Sequence, residues 1–437
     1  WGVYDLREKV DDHDFTDYYY DQDRNNIDFI KTWGATWAEY GDQVDWDALY
    51  TYITTNDMTD PANYAYVKSQ YNVGSLIDYV VLNSYIVSSD WLNWNTAWWR
   101  GYNPDGDKKK WRYVLWDLDA TFGHYINYTG VPSTAADADP CNPETLAGDA
   151  SADPEGHITI LQTLMTNEEF EQEYISRYID LNNTYFSCEH MLHVLDSMVS
   201  VIDPEMTAQC TKWGGTYAGW QANVTTLRDY ITARCAAISE GLKDCYDLDG
   251  PYDLVVNVDP AGAGNVKVNS IWVPYYSWTG NYYGGINTLF KAQANTGYVF
   301  DYWESTSHTF PHADSLRDTL DFSASDSVIA HFREITEPPT IPPATYPGFH
   351  LPTGFSPNGD GNNDVLAFFV GYDVDQFDLK IFDRWGKVVF ETSTIGDYWD
   401  GYYKGKLLNT GIYTYALTYT LTDIGTQKKS GNITLMR

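Results

Sequence analysis

In VGSLIDYVVLNSYIVSS, residues 73–89, apolar side chains fall at Val73, Leu76, Ile77, Val80 and Val81, and Ser84 continues the row. Steps of three and four predict a helix with one face turned to a core. A polar turn follows at Asp90. Residues 98–117 then predict a β-hairpin around NPDGDKKK, with WRYVLW as its second strand. Upstream, residues 1–34 open with alternating apolar positions (Val3, Leu6, Val10) and turn acidic and Tyr-rich. The Pro, Ala, Asp and Gly of residues 130–156 predict a long surface loop. TNEEFEQEYISRYIDL, residues 166–181, begins with a capping signal from Thr166 to Glu169 and places Phe170, Tyr174, Tyr178 and Leu181 on one helical face. CEHMLHVLDSMVSVI and VTTLRDYITARCAAISEGL predict two further helices.

Near residue 252 the period changes from helical to strand-like. YDLVVNVDPAGAGNVKVNS, INTLFKAQANTGYVFDYWES and SDSVIAHFREI are short alternating runs split by Gly, Pro and Asn, which predict a small all-β module. TEPPTIPPATYP, residues 336–347, is a stiff Pro-rich linker. Beyond it VLAFFV, FDLKIFD, VVFETS, GIYTYALTYTLT and SGNITLM predict a second β module, a β-sandwich. The expected organisation is a mixed α+β domain over 1–250, a β module over 251–335, the linker, and a β module over 348–437.

The formal charge of −34 argues against nucleic acid or an anionic membrane surface as partner. Of the 61 acidic residues 41 lie before residue 252, with 15 of the 27 basic ones, so the first domain carries −26 of the total. That balance suits a domain that attracts divalent cations as well as one that merely stays soluble. No run is long and apolar enough to span a bilayer. The chain begins at Trp1 rather than Met and shows no basic-then-apolar leader, as expected of a mature or truncated form. Cys141, Cys188, Cys210, Cys235 and Cys245 contain no C-x-x-C pair, which speaks against a zinc site. Export would give two disulfides and a spare thiol, in a connectivity the sequence leaves open.

WRYVLWDLDATFG, residues 111–123, ends an apolar run in two acids one residue apart. On a strand, Asp117 and Asp119 share a face, and two neighbouring carboxylates call for a cation between them. Upstream, in SDWLNWNTAWW, Asp90 and Asn95 are five apart. An Asp-x-x-x-x-Asn pair followed by a hairpin and another Asp is the layout of a phosphoryl-transfer site, in which a base takes the hydroxyl proton and oxygen donors hold a metal on the phosphates. Spacing alone selects Asn95 over Asn93. The Trp cluster at 91, 94, 98 and 99 is read as packing.

LNSYIVSSDWLNWNTAWW and KWRYVLWDLDATFGHY, together with GVYDLREKV, ISRYIDL, WGGTYAGW and LRDYITAR, resemble the CotH (spore-coat protein H) atypical kinases over about residues 1–245. The resemblance implies a kinase-like fold, ATP with Mg²⁺ or Mn²⁺ (Ca²⁺ as an alternative cation), and transfer to Ser or Thr of proteins. It implies Asp90 as catalytic Asp, Asn95 as metal ligand, Asp117 as the Asp of the DFG role and Asp119 as its helper. Glu8 becomes a candidate for orienting nucleotide-binding groups, and Lys31 a candidate for phosphate contact. The chain opens inside the GVY motif, so most of the N-terminal lobe is expected to be missing.

PTGFSPNGDGNNDVL, LKIFDRWGKVVFET, YWDGYYKGKLLNTGIYTYALTYT and SGNITLMR resemble the gliding-motility-associated C-terminal domain, a type B sorting signal of the type IX secretion system of Bacteroidota, over about residues 349–437. This implies export to the cell surface or beyond, and contact with the secretion machinery and an outer-membrane shuttle protein. Asn358, Asp360, Asn362 and Asp364 alternate as in calcium loops, but Gly at the sixth place and Glu at the twelfth are lacking, so Asx turns are the better account. The middle module resembles bacterial repeat modules of surface proteins. The main alternative is an inactive CotH relative serving as a surface adhesin or structural protein. A glycosidase using Asp117 and Asp119 ranks last, since neighbouring acids on one strand leave no room for a sugar.

Overall fold

The hairpin expected over residues 98–117 is present and belongs to a larger sheet. The computed structural model describes residues 3, 13–106, 108–334, 349–358, 363–370, 374–394, 397–404, 406–421 and 425–436. Glu8, the rest of GVYDLREKV beyond Val3, the linker 336–347, and Asp360 and Asn362 lie outside the described residues.

Four antiparallel strands, β1 (Ile27–Thr32), β2 (Thr36–Tyr40), β3 (Thr96–Gly101) and β4 (Arg112–Val114), form a sheet in the order β2-β1-β3-β4. Phe29 opposes Trp99 and Ile30 opposes Trp98, so the two faces of the central pair carry separate apolar sets. Ile27, Phe29, Ala97, Trp99 and Val114 cluster on one face. Trp98 lies on the other, against Trp46 and His157. Both central strands are buried along their whole length, which explains why this stretch shows little alternation in its sequence.

Helices surround the sheet: α1 (His13–Tyr20), α2 (Val44–Thr55), α3 (Pro61–Gln70), α4 (Val73–Tyr85), α5 (His157–Leu164), α6 (Glu168–Asn182), α7 (Cys188–Trp213) and α8 (Tyr217–Tyr246). In α4 the Asn72 side chain accepts from Ser75 N at 3.3 Å, starting the helix. It stops at Tyr85, short of the expected Ser89, because Val87 takes φ +50°. In α6 the cap is Asn167, which accepts from Phe170 N at 3.1 Å, rather than Thr166; the expected face of Phe170, Tyr174, Tyr178 and Leu181 is buried. Helix α5 was not anticipated; buried Asp153 accepts from His157 N at 2.9 Å and Ile158 N at 2.7 Å.

The expected surface loop, residues 130–156, is partly interior: Val131, Ala138, Leu146, Ala152 and Asp153 are buried. Its carbonyls find a partner in Arg234 of α8, whose Nη1 reaches Ala136 O at 3.3 Å and also Ala138 O. Cys141 pairs with Cys245 and Cys188 with Cys235, leaving Cys210 as the free thiol.

Eight strands follow: β5 (Asp249–Asp259), β6 (Gly264–Val268), β7 (Ile271–Trp272), β8 (Trp278–Gly284), β9 (Thr288–Ala294), β10 (Tyr298–Ser305), β11 (Arg317–Leu320) and β12 (Asp326–Glu334). They make two four-stranded sheets ordered β10-β12-β5-β8 and β11-β9-β6-β7. The C-terminal module is a five-stranded sheet of Gly354–Phe355, Gly425–Leu435, Gly411–Leu421, Val374–Phe382 and Val388–Thr392. Phe377, Leu379 and Ile381, at alternate positions of one strand, are buried beneath Phe349, Phe368, Leu366 and Trp399 of short strand pairs and their flanks.

Two compact units result: Trp1–Asp253 with Gly280–Thr288 and Asp321–Ala324, and Leu254–Thr279 with Leu289–Leu320 and Ser325–Arg437. The first unit takes in Gly280–Thr288 through polar bonds: Asn183 and Asn281 exchange two, at 2.8 and 2.7 Å, and Tyr282 OH donates to Asp180 Oδ1 at 3.1 Å.

Candidate functional site

Asp90 lies five residues beyond the end of α4, in a segment whose backbone is fixed by other loops. Ser89 N donates to Ala120 O at 2.9 Å, Thr129 N to Ser89 O at 2.9 Å, and Trp91 N to Thr129 Oγ1 at 2.8 Å. Leu92 (φ +63°) and Asn95 (φ +39°) take left-handed backbone, a conformation Asn accepts more readily than Leu. The resulting turn folds Asn95 back so that its Nδ2 donates to Asp90 Oδ2 at 2.9 Å. The other carboxylate oxygen, Asp90 Oδ1, is buried with no hydrogen-bond partner among the described residues.

Strand β4 ends at Val114, so Asp117 and Asp119 do not share a strand face as expected. Asp117 has φ +50° and both acids are exposed, in an extended loop. Alternation fails there because the residues after Val114 pair with no neighbouring strand and leave the ladder. Convergence on Asp90 is achieved by the loop instead: Phe122 N donates to Ile86 O at 2.8 Å and Ser89 N to Ala120 O at 2.9 Å. The segment stops at Gly123 because φ is +71° and a Cβ would stand 2.7 Å from the Tyr230 ring. Thr121 Oγ1 closes the turn by donating to Leu118 O at 3.1 Å.

Burial raises the Asp90 carboxyl above its ordinary pKa; the charges of Asp119 and then Asp117 push the same way, and the Asn95 bond opposes them. Asp119 and Asp117 thus act on Asp90, with no Lys, Arg or His paired to Asp90 or Asp119 among the described residues. Also among the described residues, no group of three or more His, Cys, Asp or Glu is arranged to hold a metal ion. A cation at Asn95, Asp117 and Asp119 would therefore have an amide and at most two carboxylates. Such a set suits Mg²⁺, which keeps waters and phosphate oxygens among its ligands, better than Ca²⁺, which takes six to eight oxygens.

Lys31 sits on β1, buried, with Nζ 4.4 Å from the centre of the Trp116 ring and 5.5 Å from that of Trp37. It is thereby carried to the residue preceding Asp117. Trp91, Trp98 and Trp99 are buried as packing residues, while Trp94 is only half-buried.

Sequence reasoning missed Arg234. It is 1% exposed and donates through Nε to Tyr85 O at 2.9 Å and through Nη2 to Ser84 O at 3.1 Å, capping the C-terminus of α4 just before Asp90. Its signal was the LRDYITAR motif, which names the residue but not what it holds. His157 was missed as well; it is fully buried, with Nδ1 2.8 Å from Tyr113 OH, and burial pushes its pKa down to about 3.

Residues 1–238 match the CotH kinase protein family, and the chain belongs to that family. Residues 254–336 match the divergent InlB B-repeat domain, and residues 349–435 the CHU_C type IX secretion signal domain. The secretion signal marks the chain for export to the cell surface or the extracellular space, and for contact with the secretion machinery that reads it. Among the described residues no helix is long and apolar enough to cross a membrane. No curated protein matches. Among solved structures the crystal structure of BcpA, the major pilin subunit of Bacillus cereus, is similar at 10% identity over 43% of this chain and 68% of that one, with a TM-score of 0.11, too slight a likeness to bear on the fold.

Proposed function

We propose that this exported CotH-family protein, from a Bacteroidota bacterium, transfers phosphate from ATP to Ser or Thr hydroxyls of proteins, with Asp90 as the base. The observation that carries the reading is Asp90 itself: one oxygen is fixed by Asn95 and the other is buried without a partner among the described residues. A buried carboxylate oxygen left bare costs stability, and such groups persist where a substrate or ion supplies the missing contact. A substrate hydroxyl donating to Oδ1 would satisfy it, and the raised pKa makes Asp90 a stronger base than an exposed carboxylate. As the hydroxyl oxygen bonds to the γ-phosphorus and the bond from that phosphorus to the bridging oxygen breaks, releasing ADP, the hydroxyl proton passes to Asp90 Oδ1. Mg²⁺ or Mn²⁺ with ATP would be held by Asn95 Oδ1, Asp117 and Asp119, and when bound supplies the positive charge that phosphoryl transfer needs on the phosphate oxygens. Asn95 also orients Asp90, so it would serve base and cation together.

The experiment is transfer of labelled phosphate from ATP to Ser- and Thr-containing peptides by the full chain, with Asp90→Ala and Asp117→Ala beside it. Both variants should fall by about 100-fold or more. Activity equal to the unsubstituted protein in both would overturn the reading.

A second reading, a surface adhesin without transfer activity, draws on Lys31. The candidate phosphate contact is 5% exposed and its ammonium already lies over Trp116. On this reading the carboxylates bridge to a matrix through cations, and nucleotide binds no better to the intact protein than to Asp117→Ala.

A further inference from the structure

Beside Asp90 stands a run of aromatic rings that the transfer chemistry does not use. Trp33, on the turn between β1 and β2, meets Trp94 with ring centres 5.5 Å apart; Trp94 meets Tyr128 at 5.8 Å, and Tyr128 meets Tyr125 at 5.9 Å. Three elements distant in sequence are joined to make this row. Gly34 N donates to Asn93 O at 2.8 Å, and Asn93 Nδ2 reaches Tyr128 O at 3.4 Å and Ser151 O at 2.9 Å. What sets these rings apart is that they are exposed together: Trp33 is 59%, Tyr125 60% and Tyr128 41% accessible. Tyr125 is held at φ +74°, a costly backbone for a bulky side chain. The row borders the site, since Thr129, next to Tyr128, donates through N to Ser89 O at 2.9 Å and through Oγ1 to Trp91 O at 2.7 Å, the residues on either side of Asp90.

We propose that Trp33, Trp94, Tyr128 and Tyr125 form a docking shelf for a Lys or Arg side chain of the polypeptide substrate, a few residues from the hydroxyl presented to Asp90. Charge selects the occupant. The shelf borders Asp90, which pairs with no cation among the described residues, in a domain that carries −26 of the −34 net charge. Ring faces and carboxylates together favour a cationic side chain. The ring planes meet at 89°, 54° and 47°, so they make no flat platform for a sugar, whereas a cation needs only one face. Within this chain Lys31 over Trp116, at 4.4 Å, shows the same chemistry. The inference rests on the proposed transfer activity for the position of the hydroxyl, and not for the shelf itself.

The test is fluorescence anisotropy of labelled Ser peptides on the full chain without nucleotide, with flanking positions filled by Lys and Arg, by Ala, or by Glu. Cellohexaose serves as a neutral saccharide competitor. The basic peptide should bind about fivefold more tightly than the Ala peptide. Trp33→Ala and Tyr125→Ala should each erode that preference, and Trp33→Phe should retain most of it. Equal affinities for all three peptides, a preference untouched by both Ala variants, or displacement by cellohexaose would overturn the shelf. Basic peptides that bind but receive no phosphate would sink the transfer reading and leave the shelf standing; transfer to acidic and basic peptides alike would do the reverse.

Discussion

Asn95 Nδ2 donates to Asp90 Oδ2 at 2.9 Å, and the second oxygen of the same carboxylate is buried without a partner among the described residues. An amide and the carboxylate it orients are thus held within one turn. Asn95→Leu removes the bond that opposes the rise in the Asp90 pKa and strands a second oxygen. We expect about 1–2 kcal/mol of lost stability in urea unfolding and a fall in phosphate transfer of about 100-fold. Unchanged transfer in a folded Asn95→Leu protein would remove Asn95 from the site.

Arg234 should matter to the site from a distance. Its guanidinium serves the carbonyls of Ser84, Tyr85 and the 136–138 segment from a buried position. Arg234→Met keeps the volume but orphans those carbonyls at the end of α4. The expected cost is about 3 kcal/mol in urea midpoint experiments. A change within 0.5 kcal/mol, the range of ordinary surface substitutions, would mean water replaces the guanidinium.

Stability should carry a His157 signature in pH. The folded pKa is lowered to about 3 by burial, below the ordinary value of 6.5, so the unfolded chain binds the extra proton between those values. Its contribution is therefore full above pH 6.5 and lost as pH falls towards 3. Unfolding free energy measured at intervals between pH 7 and 4 should drop more steeply in the native protein than in His157→Gln, by up to about 1.4 kcal/mol per pH unit. Parallel curves would contradict the assignment.

The Cys141–Cys245 bridge joins residues 104 apart and anchors the 130–156 segment to the end of α8. Replacing both cysteines by Ser should lower stability by about 4 kcal/mol from loop entropy. Thiol titration of the unfolded, unreduced native chain should return one thiol, Cys210.

Export has its own test. Removal of residues 349–435 should leave the protein in the periplasm of a host with an intact type IX system. Surface recovery of the truncated protein would show that another segment directs it.

The stripe of α4, the aromatic face of α6, the hairpin and both β modules were legible because period and turn chemistry are local properties. The pairing of Asp90 with Asn95 was legible as a spacing. What was not legible arose from tertiary contacts. The Asp117–Asp119 stretch looks like a continuing strand, but β4 stops at Val114 and the acids reach Asp90 through a loop stitched at Ser89 and Phe122. The 130–156 segment reads as surface because nothing local shows that Arg234, about a hundred residues on, satisfies its carbonyls. Asp153 as the cap of α5 escaped notice because it stands four residues before the helix begins.

The most direct test of the account is Mn²⁺ EPR on the full chain in the presence of a non-hydrolysable ATP analogue, comparing the native protein with Asp117→Asn. The account predicts Mn²⁺ binding that depends on the nucleotide and is largely lost in the variant. Equal Mn²⁺ binding by both proteins, or none by either, would contradict it.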